Sequence, residues 1–347
     1  MGNRCTCFDT TDGRLGRLEV SATTEFEGIG LSLGGPGLGL GELIEVADSA
    51  STDAAKSVED GSVVFQGERG GRYTGQCRNS LRDGQGILER PDGGRYEGQF
   101  VADKAHGKGK LTYAGGDVYE GEWSEDHTEG YGLFTHRDGS SYEGEWHQDM
   151  QHGYGVEQWA DGSRFEGSYL GSKKHGHGKF FWADGSIYDG DFIENDIQGS
   201  GTYRWEDGRV YVGEWEANRF HGHGLMTWSD GRLYEGQYEE DKKHGKGCFV
   251  WPDGRQYSGQ WRDGKQHGWG LYMNPSRKVR SGEWRDGRRL RWLDPRERDP
   301  ERGDGFSGDS PGEVRDVQGS PAAPGLATRT AAAAGTAGST QPPAEPN

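Results

Sequence analysis

Hydrophobic and polar residues alternate along this chain in a five-residue pattern of the form aromatic-x-glycine-x-aromatic. In Tyr142-Glu143-Gly144-Glu145-Trp146, the first, third and fifth residues share one face of a strand, and the two glutamates point to the other. Each start of the pattern lies 23 residues after the previous one, at Tyr73, Tyr96, Tyr119, Tyr142, Phe165, Tyr188, Tyr211, Tyr234 and Tyr257. The copies at Tyr73 and Tyr96 are weaker, and Cys77 takes the second aromatic position in the first of them. A fixed period of this length predicts a repeat protein, built from copies of one supersecondary unit.

Each repeat is predicted to be one β-hairpin. In the copy that starts at Phe165, a polar connection (170–175) follows the first strand, and Gly176 opens the second. Asp184-Gly185 then predicts a type I′ turn, in which both central residues have positive φ. The predicted fold is therefore all-β, a single-layer antiparallel β-hairpin repeat ribbon that lengthens by about 9–10 Å per repeat. The glycine between the two aromatics is expected to leave room for a ring from the neighbouring hairpin.

Composition and charge narrow the class of protein. Only 30% of the residues are hydrophobic and 63 are glycine, which favours a thin structure held by aromatic rings over a thick aliphatic core. The net charge of −17 argues against a nucleic-acid partner, because such binding depends on Lys and Arg at phosphates. The four cysteines form no disulfide framework, and the sequence contains no apolar run of about 20 residues that could span a bilayer.

The composition changes at both ends of the repeats. The flanking segments lack the aromatic pattern; the glycine-rich stretch near residue 36 also lacks the Gly-Lys-Ser/Thr ending of a phosphate-binding loop. The predicted organisation is an acylation motif at 1–8, a flexible linker at 9–64, a candidate N-terminal cap at 65–72, nine repeats at 73–279, a degenerate C-terminal cap at 280–294 and a disordered tail at 295–347.

The N-terminus carries a candidate lipidation site. Met1-Gly2 followed by Thr6 fits the N-myristoylation pattern, with Gly2 as the acceptor after removal of Met1. Cys5 and Cys7 are nearby thiols that could carry palmitate, and a second acyl chain makes a membrane anchor stable. The alternative is an ordinary, unmodified N-terminus.

The repeats resemble the MORN (membrane occupation and recognition nexus) repeat. The resemblance is carried by the motif at 142–146, by the His-Gly-x-Gly segments and by the Trp-x-Asp-Gly segments, over about 60% of the chain. It implies a non-enzymatic scaffold, and members of the family bind partner helices in an aromatic groove or phospholipids. Other members belong to ciliary radial spokes or precede kinase or methyltransferase domains, but only about fifty residues follow the repeats here, too few for either enzyme.

An aromatic row is the best candidate for a binding surface. The predicted partner-binding groove comprises Tyr142, Trp146, Trp159, Trp182, Trp205, Trp228 and Trp251. An amphipathic helix from a protein partner is the expected occupant, and no cofactor is expected. The alternative is that the rings mostly pack against each other between repeats.

Recurring histidines and carboxylates are interpreted as structural. The histidines before Gly-x-Gly, at His106, His152, His175, His221, His244 and His267, recur about 9–10 Å apart, too far to share one zinc ion. We expect each to bond a neighbouring backbone carbonyl, with pH sensing as an alternative. Pairs such as Glu143 and Glu145 are expected on a solvated face rather than in catalysis. No catalytic residue and no metal site are predicted.

Together these features predict a non-enzymatic, lipid-anchored scaffold at the cytoplasmic face of a membrane, either the plasma membrane or the cilium. The expected partner is a helical protein segment, with phospholipid as a further ligand and no nucleic acid. The alternatives are an axonemal or radial-spoke-type structural protein, or a regulatory MORN protein linked to phosphoinositide signalling.

Overall fold

The computed structural model describes residues 56–57, 63–66 and 71–294, and its regular elements are all β-strands. The strands are β1 (Lys56–Ser57), β2 (Val63–Gln66), β3 (Arg72–Arg78), β4 (Leu81–Glu89), β5 (Arg95–Val101), β6 (Lys104–Thr112), β7 (Val118–Ser124), β8 (His127–Thr135), β9 (Ser141–His147), β10 (Met150–Gln158), β11 (Arg164–Leu170), β12 (Lys173–Phe181), β13 (Ile187–Ile193), β14 (Asp196–Arg204), β15 (Val210–Glu216), β16 (Arg219–Thr227), β17 (Leu233–Glu239), β18 (Lys242–Val250), β19 (Gln256–Arg262), β20 (Lys265–Met273), β21 (Val279–Arg285) and β22 (Arg288–Trp292).

These 22 strands form one sheet in which each strand pairs antiparallel with its neighbours in the chain. A full repeat contains one strand of 7 residues and one of 9, as in β9 and β10. The predicted all-β ribbon of hairpin repeats is confirmed.

Burial alternates along the first strand of each repeat and defines two faces. On β9, Tyr142 is 0% and Trp146 4% exposed, whereas Glu143 and Glu145 are exposed. We call the side with the rings the aromatic face and the side with the acidic residues the polar face. The aromatic residues of one face therefore form the core of a sheet that has no second layer among the described residues.

A column of paired glycines lets the rings pack against the sheet itself. One glycine from each strand between β3 and β21 lies in this column; Gly144 pairs with Gly155, and Gly155 with Gly167. A Cβ added to Gly155 would lie 2.4 Å from the ring of Tyr142, and the Tyr142 hydroxyl donates to the carbonyl of Glu145 at 3.0 Å. The ring over the glycine thus belongs to the same repeat. The expectation that a neighbouring hairpin supplies it was wrong.

The type I′ turns lie at the opposite end of each hairpin from the one predicted. Between β7 and β8, Glu125 and Asp126 have φ of 49° and 72°, and both central residues of such a turn require positive φ. The side chain of the second residue stabilises the preceding repeat, because Asp126 Oδ1 accepts the Ala105 N–H at 2.7 Å. The Asp126 N–H donates in return to the Ala105 carbonyl at 3.0 Å.

The Asp-Gly dipeptides form a different turn. The Gly185 N–H donates to the Trp182 carbonyl, and the Trp182 N–H donates to the Ser186 carbonyl, both at 3.0 Å. Only Gly185 has positive φ, at 90°, which fits a type I turn closed by a glycine bulge in a three-residue loop. The type I′ prediction for Asp184-Gly185 was therefore wrong, although Asp-Gly does mark a hairpin connection.

The ends of the sheet extend beyond the nine repeats. β1 and the beginning of β2 lie within the segment 9–64, for which a flexible linker was predicted, and β2 pairs with β3. β21 and β22 form a further hairpin on β20, in the region predicted as a C-terminal cap. The predicted tail, 295–347, lies outside the described residues.

Candidate interaction surface

The core of the aromatic face is a continuous column of edge-to-face rings. Trp146 contacts Tyr142 of its own repeat with ring centroids 5.2 Å apart, and Tyr119 of the preceding repeat at 5.3 Å. The same geometry recurs from Tyr96 to Trp284. Tyr142 and Trp146, two residues of the predicted groove, therefore lie in the core and are buried.

The other five residues of the predicted groove form a second row, at the start of each three-residue loop. We call them the Trp row: Trp159, Trp182, Trp205, Trp228 and Trp251. All five are half-buried and pack against the core. Trp182 lies between Phe180 and Tyr203, with ring centroids 4.5 and 5.0 Å away. Each tryptophan is thus fixed by its neighbours and leaves part of its ring accessible.

Cations line parts of this row. The guanidinium of Arg209 lies 4.7 Å from the ring centroid of Trp205, and that of Arg232 lies 5.3 Å from Trp228. Both arginines also pair with the aspartate of their own loop, Arg209 with Asp207 at 2.8 Å and Arg232 with Asp230 at 2.7 Å. The Trp row therefore combines apolar ring surface with ordered charges at its edge.

Buried charged groups lie on the aromatic face and were not predicted. Glu157 is 1% exposed, and its Oε2 accepts from Lys174 Nζ at 2.7 Å and from the Tyr169 hydroxyl at 2.8 Å. A second lysine, Lys243, is also buried, and burial lowers its pKa to about 8, with a smaller effect from Arg232. The sequence held a signal for the buried acid, because Glu157 takes a position that Leu111 and Phe134 occupy in the two preceding repeats.

The histidines lie beside the bulge of each second strand, and several have carboxylate partners. His221 Nδ1 lies 3.2 Å from Glu216, and His244 Nδ1 lies 3.0 Å from Glu239. We expected a backbone carbonyl as the partner of each histidine, but at these two positions the partner is a carboxylate. Within the described ranges no group of three or more His, Cys, Asp or Glu side chains could hold a metal ion.

The acidic pairs are not equivalent. Glu145 Oε1 accepts the Tyr154 N–H at 2.9 Å, at the bulge where the register of β10 shifts. Gln99, Glu214 and Gln260 make the same contact in other repeats. The fourth residue of the five-residue pattern therefore caps a bulge, whereas Glu143, the second residue, faces solvent as expected.

Two shallow depressions of ≈ 330 and ≈ 410 Å³ lie along the hairpin-turn edge, lined by residues that include His106, Glu129 and His152. Both are open to solvent. Cys77 and Cys248 are half-buried, and neither forms a disulfide within the described residues. The residues described here include no helix long and apolar enough to cross a bilayer. Gly2, Cys5 and Cys7 lie outside the described residues.

The fold and the aromatic face define a tandem-repeat scaffold built from β-hairpins. The profile of the MORN repeat matches nine consecutive segments: 73–95, 96–118, 119–141, 142–164, 165–187, 188–208, 211–231, 234–254 and 257–276. The match covers more than half of the sequence, so the chain belongs to the MORN repeat family.

Several solved structures have distant similarity to this chain. The TCP10 domain of Danio rerio CPAP is 13% identical, with a TM-score of 0.34 over 60% of this chain and 98% of that chain. Its complex with a peptide of Danio rerio STIL is 12% identical, with a TM-score of 0.30 over 69% and 97%. The TCP10c domain of Drosophila melanogaster Sas-4 is 10% identical, with a TM-score of 0.28 over 51% and 99%. No curated protein matches the chain in sequence.

Proposed function

We propose that this chain is a membrane-tethered, non-enzymatic scaffold that binds a helical segment of a protein partner along the Trp row. The observation that carries the proposal is the row itself, five half-buried tryptophans at one position of successive repeats. Half-exposed tryptophans held by their neighbours supply contact area at a low entropic cost, and such residues are common hot spots of interfaces.

The spacing of the Trp row fits a helix. Successive tryptophans are separated by two strands, or about 9–10 Å across the sheet. Seven residues of an α-helix rise about 10.5 Å. An amphipathic helix with one apolar residue per heptad would therefore meet one tryptophan per repeat, over a few repeats, before the two periods fall out of step.

The tether rests on the N-terminal sequence. Myristate on Gly2 together with palmitate on Cys5 or Cys7 would supply the two acyl chains that stable anchoring requires. The anchor would place the chain at the cytoplasmic face of the plasma or ciliary membrane. Mass spectrometry of the native N-terminus tests this part, and unmodified Gly2, Cys5 and Cys7 would favour an axonemal structural role instead.

A photo-crosslinking experiment tests the binding surface. Proximity labelling of the wild type and of Gly2→Ala identifies candidate partners, and a crosslinking amino acid then replaces Trp182 in the full chain. We expect crosslinks to an amphipathic helical segment of a partner, lost when Trp205→Ala is added. The matched control places the crosslinker at Leu225, on the polar face. Crosslinks from Leu225 alone, or undiminished binding by a folded Trp182→Ala, Trp205→Ala variant, would refute the proposal.

Anionic phospholipid is a second candidate ligand, at the C-terminal end of the sheet. The segment 277–291 is basic despite the acidic chain, with Arg277, Lys278, Arg280, Arg285, Arg288, Arg289 and Arg291 against Glu283 and Asp286. Clustered basic residues attract anionic lipid surfaces. Sedimentation with phosphatidylserine vesicles should fall on Arg288→Glu with Arg289→Glu, and unchanged sedimentation would exclude this end as the lipid site.

A further inference from the structure

Two neighbouring repeats carry an exposed apolar patch on the polar face. It comprises Tyr131 and Leu133 on β8 and Tyr154 and Val156 on β10, which we call the tyrosine patch. Tyr131 is 54%, Tyr154 55% and Leu133 39% exposed, and Val156 is half-buried. At the equivalent positions the preceding repeat has two lysines and the following repeat a histidine and a lysine. Exposed apolar residues that cluster in this way mark interaction sites more often than single ones do.

Carboxylates alternate with this patch across the sheet. Leu133 pairs with Glu120 on β7 and with Glu143 on β9. Val156 pairs with the same Glu143 and with Glu166 on β11. We call Glu120, Glu143 and Glu166 the carboxylate row. It lies on the face opposite the Trp row, so its role is independent of the function proposed above.

The neighbouring repeats show which group these carboxylates bind. Lys110 Nζ lies 2.9 Å from Glu120, and Lys179 Nζ lies 2.9 Å from Asp189, across paired strands. Leu133 and Val156 occupy the positions that correspond to these two lysines. Within the described part of the chain Glu143 therefore has no cationic partner, and its contact is the Tyr131 hydroxyl at 3.1 Å.

We propose that the tyrosine patch and the carboxylate row bind a basic segment of a protein partner, in the extended polyproline II conformation, with Arg or Lys at every third residue. The cationic partner that Glu143 lacks within this chain would come from the bound segment. The rings of Tyr131 and Tyr154 would contact the cationic groups of the bound segment by cation–π attraction. Leu133 and Val156 would pack against the aliphatic parts of the same Arg or Lys side chains.

The conformation follows from the spacing of the carboxylates. Members of the row lie on every second strand, about 9.6 Å apart. A polyproline II helix repeats every three residues and rises about 9.3 Å in that distance, so its basic residues stay in step with the row. Lys110 already pairs with Glu120 and Arg164 with Glu166, so Glu143 is the carboxylate that the segment would neutralise. An α-helix presents the same side after seven residues, or about 10.5 Å, so it matches this spacing less closely than polyproline II does. In an extended β-strand, side chains point alternately to the two sides, so basic residues at every third position would point alternately toward and away from the sheet.

The direct test measures binding of a synthetic peptide to the full chain by fluorescence anisotropy. The probe is a labelled peptide of tandem Arg-Pro-Pro triplets. Two comparison peptides carry the same number of arginines, one with the arginines contiguous and one designed as an amphipathic helix. We expect the triplet peptide to bind most tightly, and its affinity to fall as salt is added, because the ion pairs are exposed.

Three variants locate the site. Glu143→Gln should weaken binding of the triplet peptide by about threefold to fivefold, the effect of one exposed charge pair. Leu133→Lys with Val156→Lys supplies the internal cations found in the neighbouring repeats and should weaken it by about tenfold or more. Glu235→Gln is the matched control at the equivalent place of a later repeat, flanked by Val212 and Ser258 in its row, and should change binding by less than about twofold.

Each of the other outcomes overturns the proposal. Equal binding of the triplet and contiguous peptides would show general attraction to an acidic protein. Tighter binding of the helical peptide would reject the extended conformation. Equal losses for Glu143→Gln and Glu235→Gln, with both variants melting as the wild type does, would show that the tyrosine patch is not the site.

Discussion

Lys174 and Lys243 occupy the same place in two repeats that lie three periods apart, but Lys174 has an acidic neighbour where Lys243 has an apolar one. Lys174 pairs with the buried carboxylate of Glu157 at 2.7 Å. The equivalent residue beside Lys243 is Met226, which is 2% exposed. The rings around both lysines also correspond, with Trp159 near Lys174 and Trp228 near Lys243.

Four rings surround the ammonium group of Lys243. Its Nζ lies 5.0 Å from the ring centroid of Phe249, 5.3 Å from those of Trp228 and Tyr234, and 5.5 Å from that of Trp261. Cation–π attraction offsets part of the cost of removing the charge from water, and burial lowers the pKa of Lys243 to about 8.

The comparison teaches that the aromatic face tolerates a buried ammonium group without an acidic partner, but that the partner changes the role of the lysine. At the first site the charge is needed, because Glu157 would otherwise be unpaired in the core. At the second site the charge is a liability. The same substitution should therefore have opposite effects at the two sites.

The largest effect is expected for Lys174→Met. It leaves the Glu157 carboxylate buried without its cation, and breaking a buried pair in this way costs about 3–5 kcal/mol. Because repeat arrays unfold in segments, hydrogen exchange of the amides in β11 and β12 is the suitable measurement. Restored protection in Lys174→Met with Glu157→Leu would confirm the cause, whereas unchanged protection in Lys174→Met would contradict it.

Lys243→Met should instead stabilise the protein, by about 1–2 kcal/mol. The substitution removes a desolvated charge and retains a side chain of similar length, while it forgoes the cation–π attraction. The melting temperature should rise, and β18 should gain protection from exchange. A loss of stability at Lys243 that matches the loss at Lys174 would mean that the rings alone stabilise the ammonium.

The pH dependence of stability should distinguish the two sites. Unfolded Lys243 holds its proton up to about pH 10.5, whereas the folded protein releases it near pH 8, so between these values the unfolded state binds more protons and stability rises with pH. We expect the wild type to gain about 2–3 kcal/mol relative to Lys243→Met between pH 7 and 10.

Above pH 10 the buried Tyr238 opposes this gain. Its pKa lies well above the ordinary value, so the unfolded state loses the phenolic proton first and stability falls as pH rises. The gain should vanish in Met226→Glu, and its persistence there would argue against Lys243 as the source.

The smallest effects are expected when the hydroxyl groups of two buried tyrosines are removed. The Tyr169 hydroxyl donates to Glu157 at 2.8 Å, whereas the buried Tyr238 hydroxyl has no hydrogen-bond partner among the described residues. Tyr169→Phe should destabilise the protein by about 1–2 kcal/mol, and Tyr238→Phe should be neutral or slightly stabilising. Denaturant midpoints of the two variants check this, and equal shifts would contradict the assigned hydrogen bond.

The period, the strands and the repeat family could be predicted from the sequence, because the pattern at Tyr142, Gly144 and Trp146 recurs without a gap. The positions of the type I′ turns could not be predicted by looking for glycine, because pairs such as Glu125-Asp126 adopt positive φ although neither residue is glycine. The recurrence of Asp or Asn at 23-residue intervals, as at Asp103 and Asn195, was the signal for them.

The buried charges could be predicted only in part. Glu157 stands out in the sequence as an acid at an aliphatic or aromatic position. That Lys174 reaches it depends on the pairing of β10 with β11 and of β11 with β12, which brings residues from two repeats together on one face. The partial exposure of the Trp row likewise depends on how the rings pack, and its role in binding remains a prediction.

The contacts between hairpin turns connect each repeat to the following one. Phe220 donates its N–H to Asp241 of the following repeat at 2.8 Å, and Ile197 donates to Asn218 at 2.7 Å. The Phe220 contact is reciprocal, because the Asp241 N–H donates to the Phe220 carbonyl at 3.1 Å. Deletion from the C-terminal end would leave the N–H and the carbonyl of Phe220 to water, and deletion from the N-terminal end would leave the N–H and the carboxylate of Asp241 to water. Loss of one repeat from either end should therefore cost a similar number of hydrogen bonds.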